Sequence, residues 1–191
     1  MNILITGVPG TGKTTVSIRL SKRLGYPVIH INDIVNEYHL FTRYDQKTQS
    51  KIVKMKELED YLTNLLSDGN HIVEGHLGCD LDLPVDVVIV LRTHPRILYS
   101  RLKRRGYPTH KIEENIWAEL LDYCVINSEE RYDVVYEVNT TNKSVDHVVG
   151  EIIDLINRKR KPKHYDWSKY LESGINWRSP KRKDFFGHST K

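Results

Sequence analysis

Cysteine is nearly absent: Cys79 and Cys124 are the only two in 191 residues. Two cysteines alone give neither a disulfide framework nor a zinc-ligand spacing, and point to a reducing, intracellular compartment such as the cytoplasm. No run approaches the eighteen or so apolar residues a membrane span requires, so no membrane partner is expected. Met1-Asn2-Ile3-Leu4-Ile5-Thr6 lacks the basic start and long apolar stretch of a secretory leader and reads as the first buried strand. No internal repeat is visible. What remains is a globular chain, 39% hydrophobic and 28% charged, long enough for one domain with a full core.

The net charge of +4 is unevenly spread. Eleven basic and three acidic residues fall between Arg158 and Lys191, a net of +8; the remaining 18 basic and 22 acidic residues leave the first 157 positions at −4. Trp167, Trp177, Phe185 and Phe186 are interleaved with the tail's cations. Such a mixture suits RNA or a partner surface, and equally a solvated tail with no specific role. The division expected is a compact domain over residues 1–160 and a basic, aromatic tail over residues 161–191.

Short apolar runs alternate with helical patterns. Strands are expected at Asn2–Thr6, Pro27–Ile31, Ile72–Glu74, Val85–Leu91 and Val134–Val138. Helices are expected at Thr14–Leu24, from Asp33 towards Leu40, at Thr48–Leu66, Pro95–Arg105, Ile112–Tyr132 and Ser144–Arg160, with Phe41–Lys47 irregular. This order is that of an α/β fold with a parallel sheet, whose ligand lies at the carboxyl ends of the strands.

Gly7-Val8-Pro9-Gly10-Thr11-Gly12-Lys13-Thr14 follows the first strand and opens the first helix. That is the arrangement of a phosphate-binding loop. Gly10 and Gly12 let the backbone N–H groups approach a phosphate, Lys13 reaches the β- and γ-oxygens of ATP, and the Thr14 hydroxyl is a Mg²⁺ ligand. Glu74 ends a neighbouring strand, where such enzymes carry an acid near the metal, and His76 follows two residues on. Arg101-Leu102-Lys103-Arg104-Arg105-Gly106 places four cations at a helix end before a flexible turn, the composition of a lid over a transferring phosphoryl group. Asp33 is placed either to touch an acceptor or to cap a helix. Arg92, past the central strand, is placed to hold an acceptor phosphate or to cap the strand end. Asn142-Lys143 is followed by Val145 where a guanine-reading N-K-x-D motif has Asp, which weighs against a GTPase.

Taken together, Gly7–Thr15, Glu74-Gly75-His76-Leu77-Gly78-Cys79-Asp80, Val90-Leu91-Arg92-Thr93, Leu98–Leu102, Arg105-Gly106-Tyr107 and Lys111–Asn115 resemble the adenylate kinase isoenzyme 6 family over about residues 1–160. The resemblance implies a five-stranded P-loop nucleotide kinase core, a short acceptor segment near residues 30–53 and a short lid near residues 104–114. It implies ATP contacts at Gly10, Gly12, Lys13, Thr14, Thr15 and Arg105, with Glu74 and His76 filling an acid-x-His motif. It also implies ATP:AMP phosphotransfer with ATPase activity and a link to maturation of the small ribosomal subunit, with rRNA or a small-subunit protein as partner. Two positions depart from the family: Glu74 stands where Asp is usual, and Asn36 stands where an arginine grips the AMP phosphate, with Arg43 as a substitute. The rival readings are another small-molecule kinase and a nucleotide-switched assembly factor whose phosphotransfer is incidental.

Overall fold

The computed structural model describes residues 1–45 and 50–172. Five parallel strands form the central sheet: β1 (Ile3–Thr6), β2 (Val28–His30), β5 (Ile72–Glu74), β6 (Val87–Arg92) and β7 (Val135–Asn139), in the spatial order β2-β5-β1-β6-β7. β1 and β6 are buried along their whole length. Both are apolar at nearly every position because both faces of the sheet are covered. The alternation of strand side chains sorts the core into two layers. Ile3, Ile5, Val87 and Ile89 pack with Val16 and Leu20 of α1 (Lys13–Leu24) and with Val148, Val149 and Ile152 of α7 (Val145–Ile156). Leu4, Val73, Val88 and Val90 face α3 (Met55–Leu65), α4 (Pro95–Arg104) and α5 (Thr109–Leu120) through Leu58, Leu62, Leu98, Leu102, Ile112 and Ile116. Each such fully buried side chain contributes about 1.5–3 kcal/mol.

Three local expectations are corrected. The helix expected over Thr48–Leu66 starts at Met55. Ahead of it, β3 (Phe41–Asp45) and β4 (Ser50–Val53) form an antiparallel pair, with Tyr44 opposite Lys51 and Arg43 opposite Ile52. Ile52 fits the helical spacing of Met55, Leu58 and Leu62, but the β-branched Ile52 and Val53 also suit a strand. The helix expected over Ile112–Tyr132 breaks into α5 and α6 (Tyr123–Glu129) at Asp122, which has φ 54°. The cause is distant in sequence: the Asp122 carboxylate accepts a hydrogen bond from Arg92. The helix carrying Asp33, α2 (Ile31–Glu37), starts two residues early and is preceded by His30. Asp33 lies in its first turn without a capping bond.

The chain beyond Arg160 returns to the core. Trp167 is 7% exposed, its indole N–H donates to Glu119 Oε1 at 3.0 Å, and Tyr165 stacks alongside it. The Tyr170 hydroxyl, at the start of the short helix α8 (Lys169–Glu172), lies 2.7 Å from His94 Nε2. Trp177, Phe185 and Phe186 lie outside the described residues. No helix among the described residues is long and apolar enough to cross a membrane. Both cysteines are buried and free.

Candidate functional site

The glycine loop leaves β1 and enters α1 through three residues with positive φ, Gly7 at 132°, Gly10 at 94° and Gly12 at 101°. A Cβ on Gly10 would sit 2.8 Å from Leu98 Cδ1, so glycine is required there for conformation and for space. Lys13 Nζ donates to the carbonyls of Gly7 at 2.8 Å and Val8 at 3.2 Å. Burial lowers its pKa, the nearby Arg105 acting in the same direction and Glu74 opposing it. The ammonium is half-buried against the loop carbonyls, a position in which an arriving phosphate would stabilise its charge.

Glu74 ends β5 beside β1 and is 8% exposed. It accepts a hydrogen bond from Thr14 Oγ1 at 3.2 Å and lies 2.8 Å from His30 Nδ1. His30 is a residue the sequence reading missed. The signal was its place at the carboxyl end of β2, where the parallel register sets it opposite Glu74. Thr14 and Glu74 thus bring two hard oxygen donors together at the helix N-terminus, the donor type that fits Mg²⁺ with the rest of its shell from phosphate and water.

Gly10, Gly12, Lys13, Thr14, Thr15, Glu74, His76 and Arg105 surround one cleft of about 180 Å³. A larger cavity of about 370 Å³ continues from it past Thr15, Arg105, Thr140 and Val148. At the wall of the larger cavity, Arg101 acts as a brace. Its guanidinium donates to the carbonyls of Gly10, Thr11 and Thr140 and to the hydroxyls of Thr93 and Thr140, at 3.0–3.4 Å. Of the four cations at this helix end, Arg101 fixes the loop, while Arg104 and Arg105 line the larger cavity. Lys143 pairs with Glu151 at 2.8 Å at the cavity's far side.

Two expected acceptor residues lie elsewhere. Asp33 is exposed and lines neither the cleft nor the cavities beside it. Arg92 is 1% exposed and makes four hydrogen bonds. It donates to Glu119 Oε1 at 2.9 Å, to the Glu119 carbonyl at 3.1 Å, and to Glu137 and Asp122. Four of its five N–H groups are taken by three carboxylates and a carbonyl, and the side chain is buried away from the cleft, so Arg92 organises the core.

The AAA domain family matches residues 3–122. A relative named "Putative adenylate kinase" from Methanocaldococcus jannaschii is 41% identical over 175 residues, spanning 90% of this chain and 96% of that protein. One of the same name from Pyrococcus abyssi is 41% identical over 177 residues, spanning 92% and 96%. This chain belongs to that family of P-loop kinases. Among solved structures, shikimate kinase from Acinetobacter baumannii in complex with shikimate superposes with a TM-score of 0.61 at 18% identity, covering 83% of this chain and 94% of that one. At that identity the likeness shows the fold alone, the P-loop kinase fold with its five-stranded parallel sheet.

In this kinase His76 touches both sides of the site, lining the phosphate cleft and a neighbouring cavity bounded by α2 and β4. Burial, reinforced by Lys13, lowers its pKa to about 4. The imidazole is therefore neutral at neutral pH, with one nitrogen donating and the other accepting. His76→Ala should lower kcat about tenfold or more and change the KM for ATP little, because a neutral donor beside the transferring group acts in the transition state. The pH profile should lack an inflection at an ordinary histidine value of about 6.5 arising from this residue. A lower melting temperature with normal turnover per folded molecule would make His76 structural instead.

Proposed function

We propose that this kinase transfers the γ-phosphoryl group of ATP to AMP, forming two ADP. The observation that carries the reading is the second cavity, about 300 Å³, which meets the phosphate cleft at Asn32 and His76 and is lined by a lysine and no carboxylate among the described residues. A hydroxyl acceptor must lose a proton as it attacks, and a carboxylate beside it is the usual base. The phosphate of AMP arrives already ionised and needs none. One of its oxygens forms a bond to the γ-phosphorus while the bond to the β–γ bridging oxygen breaks, and that oxygen keeps the electron pair as ADP leaves.

Lys13 neutralises the charge growing on the bridging oxygen, and Arg105 stands between the phosphate cleft and the larger cavity to meet the donor from the lid side. Thr14 and Glu74 would hold Mg²⁺, whose contribution is to neutralise the β- and γ-phosphate oxygens. The larger cavity would take the adenosine end of ATP. Slow ATPase activity follows where water takes the acceptor's place. The test measures ADP formation with and without AMP. Formation that requires AMP supports the reading, and hydrolysis indifferent to AMP overturns it in favour of a nucleotide switch.

A second role, at the small ribosomal subunit, is supported by the resemblance to the isoenzyme 6 family and by charge. Residues 173–191 hold five Lys/Arg and one Asp, together with Trp177, Phe185 and Phe186. Trp167 belongs to the core, so the informative truncation removes residues 173–191 and leaves the buried indole in place. Phosphotransfer should stay within a few-fold of the full chain. Affinity for single-stranded rRNA should fall, and its logarithmic salt slope should flatten by up to about 3.5 if all five cations meet phosphates. Unchanged affinity at two salt concentrations would remove the RNA role.

A further inference from the structure

Resting on the reading of the chain as a nucleoside monophosphate kinase, we propose that Lys51, on the β3–β4 hairpin, binds the phosphate of the acceptor and selects monophosphate-bearing acceptors over neutral nucleosides. An acceptor phosphate brought against the phosphates of ATP needs a cation on its own side of the cleft. The arginine expected in α2 is Asn36, and Arg92 is consumed in the core. Lys51 is the cation that lines the acceptor cavity, with Asn32, Asn36, Val53, His76 and Leu77.

Register explains why Lys51 and not Arg43 reaches this place. Cross-strand partners in an antiparallel pair share a face, and successive residues alternate. Lys51 pairs with Tyr44, and Val53, two residues on, pairs with Phe41; the register shifts between Phe41 and Arg43, so Arg43 pairs with Ile52 on the opposite face. The face bearing Lys51 and Val53 is the one that lines the cavity, and Arg43 lines none of it. Lys51 Nζ sits 2.5 Å from Asn36 Oδ1 and 4.0 Å from the centroid of the Phe41 ring. Neither partner carries a charge. The amide oxygen and the ring face hold the ammonium at the cavity wall, exposed to solvent, without neutralising it. A dianionic phosphate would supply the missing counter-charge. The remaining polar groups, Asn32 and Asn36, offer amide donors to its other oxygens, while Val53 and Leu77 give an apolar surface for a base or sugar.

The test uses the full chain with Lys51→Met and Lys51→Arg. Steady-state rates are measured with AMP, CMP and UMP as acceptors, and adenosine and AMP binding are measured by titration calorimetry. Lys51→Met should raise the KM for AMP about tenfold or more while the KM for ATP stays within about twofold, and Lys51→Arg should recover most of the loss. Adenosine should bind both variants and the parent alike, because it has no phosphate to lose. An unchanged KM for AMP in Lys51→Met overturns the proposal while leaving AMP phosphorylation standing. If the parent chain phosphorylates no monophosphate, that reading fails, and the titration still decides the lysine. AMP binding weakened about tenfold in Lys51→Met supports the phosphate grip; equal binding, or no monophosphate binding to the parent, overturns it. A fall in adenosine binding to match that of AMP would show damage to the hairpin rather than loss of a phosphate contact, and would also overturn it.

Discussion

Lys13→Ala is expected to lower phosphoryl transfer by about a hundredfold to a thousandfold, the range seen when one preorganised electrostatic group is removed from a transition state. The loop that positions Lys13 does not depend on it. Gly10 and Gly12 set the backbone path, and Arg101 ties the carbonyls of Gly10 and Thr11 to Thr140, whose hydroxyl also bonds Thr11. Lys13 contributes two hydrogen bonds to carbonyls at a cost visible in its lowered pKa, since burial disfavours the ammonium. Losing two favourable bonds and one unfavourable desolvation should leave the melting temperature nearly unchanged. Transfer and stability should therefore separate. Turnover collapses in a coupled assay with ATP and AMP, while a thermal melt of the same preparation stays within a few degrees. Activity within a few-fold of the parent would end the assignment of the glycine loop as the donor-phosphate site.

How much of this was legible beforehand depended on how local its cause was. The phosphate loop was readable because its geometry is set by neighbouring residues: glycines where φ must be positive, then a lysine and a threonine at the start of a helix. The same holds for the Ser144 cap of α7, whose hydroxyl accepts from the His147 N–H at 3.3 Å. The β3–β4 hairpin was obscured because Ile52 satisfies two periods at once, and only the pairing with Arg43 decides between them. The break at Asp122 and the burial of Trp167 were not readable locally at all. Both answer to Arg92, which draws Asp122 out of the helix and shares Glu119 with the indole. Sequence alone does not say whether an arginine at a strand end faces a ligand or a buried carboxylate. Here the missing information was the convergence of Glu119, Asp122 and Glu137 from three later elements.

That convergence makes Arg92→Leu the most destabilising single change expected in the core. Leucine fills part of the volume but leaves Glu119, 3% exposed, without its cation and Glu137, 7% exposed, with His164 alone beside it among the described residues. Removing one partner of a buried ionic cluster typically costs about 3–5 kcal/mol, because a buried charge is left uncompensated. For a domain of this size that corresponds to a fall in melting temperature of roughly 6–20 °C. The loss should depend on pH in a definite direction. Burial already raises the pKa of Glu119 even with Arg92 opposing it, and without the arginine it must rise further. A carboxyl whose pKa is higher folded than unfolded binds more protons in the folded state, so its penalty is absent below the unfolded value of about 4.3 and complete above the folded one. The gap between Arg92→Leu and the parent should thus be widest at neutral pH and narrow as the solution is acidified towards the unfolded carboxyl value. Arg92→Lys, which keeps the charge but not the forked donors, should fall between the two. If Arg92→Leu instead melts with the parent at every pH and loses only acceptor affinity, the side chain faces the acceptor and the buried cluster does not hold this end of the sheet.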